Sequence, residues 1–185
     1  MAFNPEIHRR RSVRLKGYDY GQAGAYFITI CTHERDPLFG EIRNGEMHLN
    51  AFGQIAYQEW LNTPAVRPNV SLDVFVVMPN HLHGILLITG PDDRMDSLPP
   101  AADEGVCNTP LPFKSPSNTI GSIVRGYKAA VTKQINLLKS DEVGIDVWQR
   151  SYHEHIIRNE RSYQHISDYI INNPLQWEAD MFHKP

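Results

Sequence analysis

The chain has 185 residues, 41% of them hydrophobic and 21% charged, which suits one globular domain with a real core and excludes a disordered protein. A net charge of −3 excludes a uniformly basic nucleic-acid binder, but the acid is concentrated: within 91–105, Asp92, Asp93, Asp96, Asp103 and Glu104 stand against Arg94 alone, so the remainder is slightly basic. No apolar run nears the roughly 18 residues of a membrane span, the basic N-terminus lacks the apolar stretch of a secretory signal, and two cysteines, Cys31 and Cys107, make no disulfide framework, so a cytoplasmic setting and no membrane partner are expected.

Residues 1–20 form a basic arm carrying Arg9, Arg10, Arg11 and Arg14. The β-branched and aromatic run at 26–32 predicts a strand. Short strands at 38–42 and 46–49 flank the turn Arg43-Asn44-Gly45. Asn50 is a good N-cap for a helix over 51–61, which should stop before Thr63-Pro64. Strands at 72–77 and 81–89 are joined by a tight Pro79-Asn80 turn. Six prolines and the acidic cluster make 90–118 a loop inserted in one domain spanning 21–185.

In the next segment Ile120, Ile123, Val124, Tyr127, Val131 and Ile135 recur at helical spacing, while Arg125, Lys128 and Lys133 sit on the other face. Alternation over 147–157 predicts another strand, and 160–171 a helix that Asn172-Asn173-Pro174 ends. The order β, β-hairpin, α, β, β, α, β, α is α+β. Connections too short for parallel crossovers predict a largely antiparallel sheet.

The chemistry points to Met78-Pro79-Asn80-His81-Leu82-His83-Gly84. Side chains alternate along a strand, so His81 and His83 share a face and can chelate a divalent metal. They can equally be hydrogen-bonded residues on a polar sheet face. On the C-terminal helix Tyr169 and Asn173 are one turn apart on one face, with His165 one turn earlier. If that face covers the histidines, a phenol, two imidazoles and an amide converge. A phenol of pKa about 10 must be aimed, and its target's charge neutralised, before it can attack a phosphodiester. Each basic group alone reads as solvated charge; two of them flanking a candidate metal site point to a polyanion.

His81-Leu82-His83 resembles the His-hydrophobic-His motif of HUH endonucleases. With Asp168-Tyr169-Ile170-Ile171-Asn172-Asn173-Pro174 it resembles the single-tyrosine HUH transposases, and among them the transposases associated with repetitive extragenic palindromes (REP). Arg9-Arg10-Arg11-Ser12-Val13-Arg14-Leu15, Gly24-Ala25-Tyr26-Phe27-Ile28-Thr29-Ile30-Cys31-Thr32 and Trp148-Gln149-Arg150-Ser151-Tyr152-His153-Glu154-His155 extend the likeness over nearly all of the chain except 90–118.

The resemblance implies a ferredoxin-like α+β fold: a central antiparallel sheet with helices packed on one face. It implies Mg²⁺ or Mn²⁺ held by His81 and His83, with Asn173 at the third, amide-bearing position, and Tyr169 as nucleophile. The activity implied is cleavage and rejoining of single-stranded, hairpin-bearing DNA through a 5′-phosphotyrosine, in the nucleoid, with a homodimer left open. Arg9, Arg10, Arg11, Arg14, Arg125, Lys128 and Lys133 would contact the DNA backbone. Tyr152 and Tyr163 compete with Tyr169 as nucleophile. His153, His155 and His165 are better explained structurally. Two rivals are a hairpin-binding relative without turnover and an unrelated metal hydrolase using His-x-His with a carboxylate. The scarcity of acidic residues beside the histidines in sequence counts against the second.

Overall fold

The computed structural model describes residues 21–89, 119–139 and 144–183. The basic arm with Arg9, Arg10, Arg11 and Arg14, and the acidic loop at 90–118, lie outside the described residues. In chain order come β1 (Gly24–Cys31), the hairpin β2 (Gly40–Arg43) and β3 (Glu46–Leu49), α1 (Ala51–Leu61), the short α2 (Thr63–Val66), β4 (Val70–Met78), β5 (His81–Ile88), α3 (Ile120–Lys139), β6 (His153–Ile157) and α4 (Glu160–Asn172).

Four strands form one sheet in the order β4-β5-β1-β6, every neighbouring pair antiparallel. The order follows from two interleaved β-α-β units. β1-α1-β4 leaves room for β5, and β5-α3-β6 leaves room for β1, which is the ferredoxin-like arrangement. The Asn44-Gly45 turn of the small hairpin has φ of 53° and 77° at its two residues, the left-handed pair that a two-residue hairpin needs.

Strand alternation divides the sheet chemically. Tyr26, Ile28, Ile30, Leu82, Leu86 and Ile88 are buried on one face against Trp60 of α1 and Ile123, Tyr127 and Val131 of α3. Each such side chain withdraws enough apolar surface to stabilise the fold by about 1.5–3 kcal/mol. All six apolar positions read from the spacing of α3 are buried. The other face carries Thr29 opposite His83 and Cys31 opposite His81. There α4 packs, its Tyr169 ring 6.3 Å from that of Phe27. Helices on one face therefore describes α1 and α3, while α4 covers the opposite one.

One local expectation holds and another changes. α1 stops before Thr63-Pro64 as expected, and Pro64 then sits in the first turn of α2, where a missing N–H costs nothing. The strand expected over 147–157 begins only at His153. Upstream of it, the His33 N–H donates to the Val147 carbonyl (3.0 Å) and the Gln149 N–H to the Cys31 carbonyl (3.0 Å). Lys128 Nζ donates to the carbonyls of Gln149 (2.7 Å) and Ser151 (3.0 Å). The segment is thus a strap tied by a lysine rather than a full ladder. Among the described residues no helix is long and apolar enough to cross a membrane.

Gly84 shows why glycine follows the histidines. A Cβ there would lie 2.8 Å from Trp60 Cζ2 and 3.1 Å from Phe75 Cβ. Trp60 therefore packs directly on β5, behind the histidines. Gly84→Ala is expected to cost roughly 1–3 kcal/mol through overpacking. Urea unfolding would check it: the midpoint should fall with an unchanged slope.

Candidate active site

β5 delivers His81 and His83, both essentially fully buried, to the face that α4 covers. Their tautomers follow from their neighbours. The Asn80 amide donates to the carbonyls of Arg35 (3.0 Å) and Phe182 (2.8 Å), which spends its nitrogen and turns its oxygen toward His81. His81 Nδ1–H then donates to Asn80 Oδ1 at 2.8 Å, and Nε2 carries the lone pair. That Nε2 is buried with no hydrogen-bond partner among the described residues. His83 Nδ1 is engaged by Thr29 Oγ1 at 2.9 Å, so Nε2 is its inward nitrogen as well. Partners of this kind orient metal-ligating histidines.

α4 contributes Tyr169 and Asn173. The Tyr169 hydroxyl lies 3.1 Å from His83 Nε2. Asn173, buried at the end of α4, donates from Nδ2 to Asp180 Oδ2 at 2.7 Å, leaving Oδ1 buried and without a partner among the described residues. Asp180 Oδ2 also accepts from the Tyr169 hydroxyl at 3.4 Å, and Oδ1 from the Phe182 N–H at 2.6 Å. Ligand atoms of His81, His83 and Asp180 all lie within 4.8 Å of one another.

The electrostatics suit a cation. Burial pushes His81 down to about 4 and His83 well below the usual imidazole range, so both rings are neutral at pH 7 and have lone pairs to give. Burial, then the Asp180 carboxylate, raises the Tyr169 phenol to about 12, so it stays protonated. Two orphaned buried acceptors, a second imidazole and a carboxylate converging in one place fit a divalent metal. A hard ion is favoured by the oxygens and accepted by the imidazoles.

Asp180 was not legible as a site residue. It follows α4 and a 3₁₀ turn (Pro174–Ala179), outside any periodic element. The one hint is the aromatic content of Trp177, Phe182 and His183, unusual beyond a proline-ended helix. The Phe182 ring packs against both site histidines, tilted at 4.8 Å from His81 and edge-on at 5.6 Å from His83 between ring centroids. Asp180 also removes the absence of a nearby carboxylate as an argument against a metal hydrolase.

The other candidates separate. The Tyr163 hydroxyl donates to Asp73, fastening α4 to β4 away from the histidines. Tyr152 shares with Tyr169 and His83 the lining of a cavity of about 450 Å³. His165 is exposed on α4. Arg125, Lys128 and Lys133 line one open groove with Arg150, but the Lys128 ammonium is spent on two carbonyls and burial lowers it to about 8. Tyr127 and Trp148 pack in the core, donating to the carbonyls of Ala56 (3.1 Å) and Lys128 (3.2 Å).

Comparison with known proteins adds to this geometry. No protein-family model matches the chain. An uncharacterized protein of Haemophilus influenzae is 47% identical over 188 residues, covering 98% of this chain and 97% of that one. The chain belongs to the family of that Haemophilus protein. A solved structure of a REP-associated tyrosine transposase bound to a REP hairpin superposes with a TM-score of 0.56 at 22% identity, covering 90% of this chain and 74% of that one. This chain therefore shares the fold of that structure, in agreement with the fold implied by the likeness read from the sequence motifs.

Proposed function

We propose that this protein is a transposase: a metal-dependent endonuclease and strand transferase acting on single-stranded, hairpin-bearing DNA through Tyr169. The observation that carries this reading is the orphaned pair His81 Nε2 and Asn173 Oδ1, buried beside a tyrosine hydroxyl 3.1 Å from His83. Buried polar atoms without partners are costly, and a cation would satisfy both. The hairpin-bound relative supports DNA as the substrate.

His81, His83 and Asn173 would hold Mg²⁺ or Mn²⁺, with the Asp180 carboxylate in reach as a further ligand. Bound there, the ion supplies Lewis-acid neutralisation of a phosphodiester oxygen. Tyr169 supplies the nucleophile, and the Asp180 carboxylate accepts a hydrogen bond from its hydroxyl. Its oxygen bonds to phosphorus as the bond to the 3′ oxygen breaks. The phenol gives up its proton, the departing strand end takes one up as a 3′ hydroxyl, and the 5′ phosphate stays on the tyrosine. Attack by another 3′ hydroxyl reverses the step and joins new ends, with no external energy source. Arg125 and Lys133, exposed along the groove, would hold backbone phosphates, and Lys128 would support the strap between groove and site; Arg9, Arg10, Arg11 and Arg14 would add a basic arm.

The test is incubation of labelled hairpin oligonucleotides with Mn²⁺ or Mg²⁺. A denaturation-resistant protein–DNA adduct should form, disappear with EDTA and return when the metal is restored. Tight hairpin binding with no adduct under any of these conditions would refute turnover.

A further inference from the structure

We infer that the cavity beside Tyr169 is a pocket for one unpaired nucleobase, that of the nucleotide flanking the phosphate attacked. This rests on the strand-cleavage reading and adds to it a base-recognition site. The cavity has a volume of about 450 Å³, within the range of small-ligand sites. Tyr169 and His83 form part of its wall, so a phosphate at the Tyr169 hydroxyl would have its neighbouring sugar and base at the cavity mouth.

The lining selects a base over other parts of a nucleotide. Phe27, Tyr152 and Phe182 contribute aromatic rings to the lining, and Gln149, Ser151 and His153 contribute polar side chains. That is the combination by which enzymes hold a base taken out of a stack, with ring faces for stacking and polar groups for its edge. A phosphate is disfavoured, because among the described residues the one Lys or Arg in the lining is Arg35. Its guanidinium already donates to the Met181 carbonyl at 3.1 Å and lies 5.1 Å from the Phe182 ring centroid. The cations that suit phosphates, Arg125, Lys133 and Arg150, line the adjoining groove instead, and Gln149 lines both. A base held in a duplex has its faces covered by its neighbours and cannot enter, so the pocket demands an unpaired nucleotide at the cut.

The experiment uses the full chain with Mn²⁺ and a hairpin oligonucleotide whose cut phosphate has been located by sequencing the released strand. Abasic sites are then introduced singly at the four flanking nucleotides. Loss of one base adjacent to the cut should slow adduct formation about tenfold or more, the scale of one base–aromatic stack. The other three positions should change it less than threefold. Tyr152→Leu, which keeps apolar packing but removes the aromatic face, should slow cleavage of intact DNA severalfold. It should also add little further loss on the sensitive abasic strand. Gln149→Ala gives the same comparison should the tyrosine variant fail to fold. Equal rates on all four abasic strands would overturn the pocket while leaving strand cleavage intact, as would fully multiplicative losses for variant and abasic site. Absence of adduct on intact DNA would instead strike the cleavage reading, and the pocket with it.

Discussion

Replacing Tyr169 with phenylalanine is expected to abolish the covalent DNA adduct and to lower strand cleavage by roughly 10⁴-fold or more, the scale on which loss of a nucleophile acts. The ring contacts with Phe27 and His83 need no hydroxyl, so the variant should fold normally. Among the described residues the hydrogen bonds of the hydroxyl to His83 and Asp180 are lost. Metal affinity, measured by calorimetry, should stay within about threefold of wild type, since the phenol is not among the ligands. A metal hydrolase built on His81, His83 and Asp180 behaves differently. Water would remain its nucleophile, so Tyr169→Phe would go on cutting, and no adduct would form in either protein. The same variant therefore separates the two chemistries that a histidine pair with a nearby carboxylate could support.

The second large effect is expected from His81→Ala. His81 is fully buried, and its Nε2 has no hydrogen-bond partner among the described residues, so removing it leaves a small cavity and breaks the hydrogen bond to Asn80. The stability change should stay within about 2 kcal/mol, because the lost packing is partly offset by no longer burying an unsatisfied nitrogen. Mn²⁺ binding, followed by electron paramagnetic resonance of the free ion, should weaken at least about 100-fold. Cleavage should fall roughly 10³-fold, which corresponds to several kcal/mol of lost charge stabilisation. Wild-type Mn²⁺ affinity in a folded His81→Ala protein would remove the histidines from the metal site. Asn173→Ala should weaken binding less, as one neutral oxygen is lost and Asp180 remains.

Much of this arrangement was legible in local chemistry. Alternation along β5 set His81 and His83 on one face whatever the rest of the fold did. The one-turn spacing of Tyr169 and Asn173 did the same on α4, and the apolar spacing of α3 marked its buried face. Long-range contacts were not legible. Asp180 reaches the site because Asn80 donates to the Phe182 carbonyl 102 residues away and Arg35 donates to that of Met181, and no periodicity encodes either bond. Alternation over 147–157 overstates the strand, because alternation records which side chains are apolar. Where the backbone N–H and C=O groups bond is not in that pattern, and here Lys128 took two of the carbonyls. The side of the sheet that α4 covers was likewise hidden. Its apolar positions would suit either face, and the decision rests on α1 and α3 already filling the other.

The most direct measurement is mass spectrometry of the protease-digested adduct formed on hairpin DNA with Mn²⁺. A phosphodiester bond between the Tyr169 oxygen and the 5′ end of the cut strand is the expected result. Attachment at Tyr152 or Tyr163, or cleavage that leaves no protein-linked DNA, would contradict it.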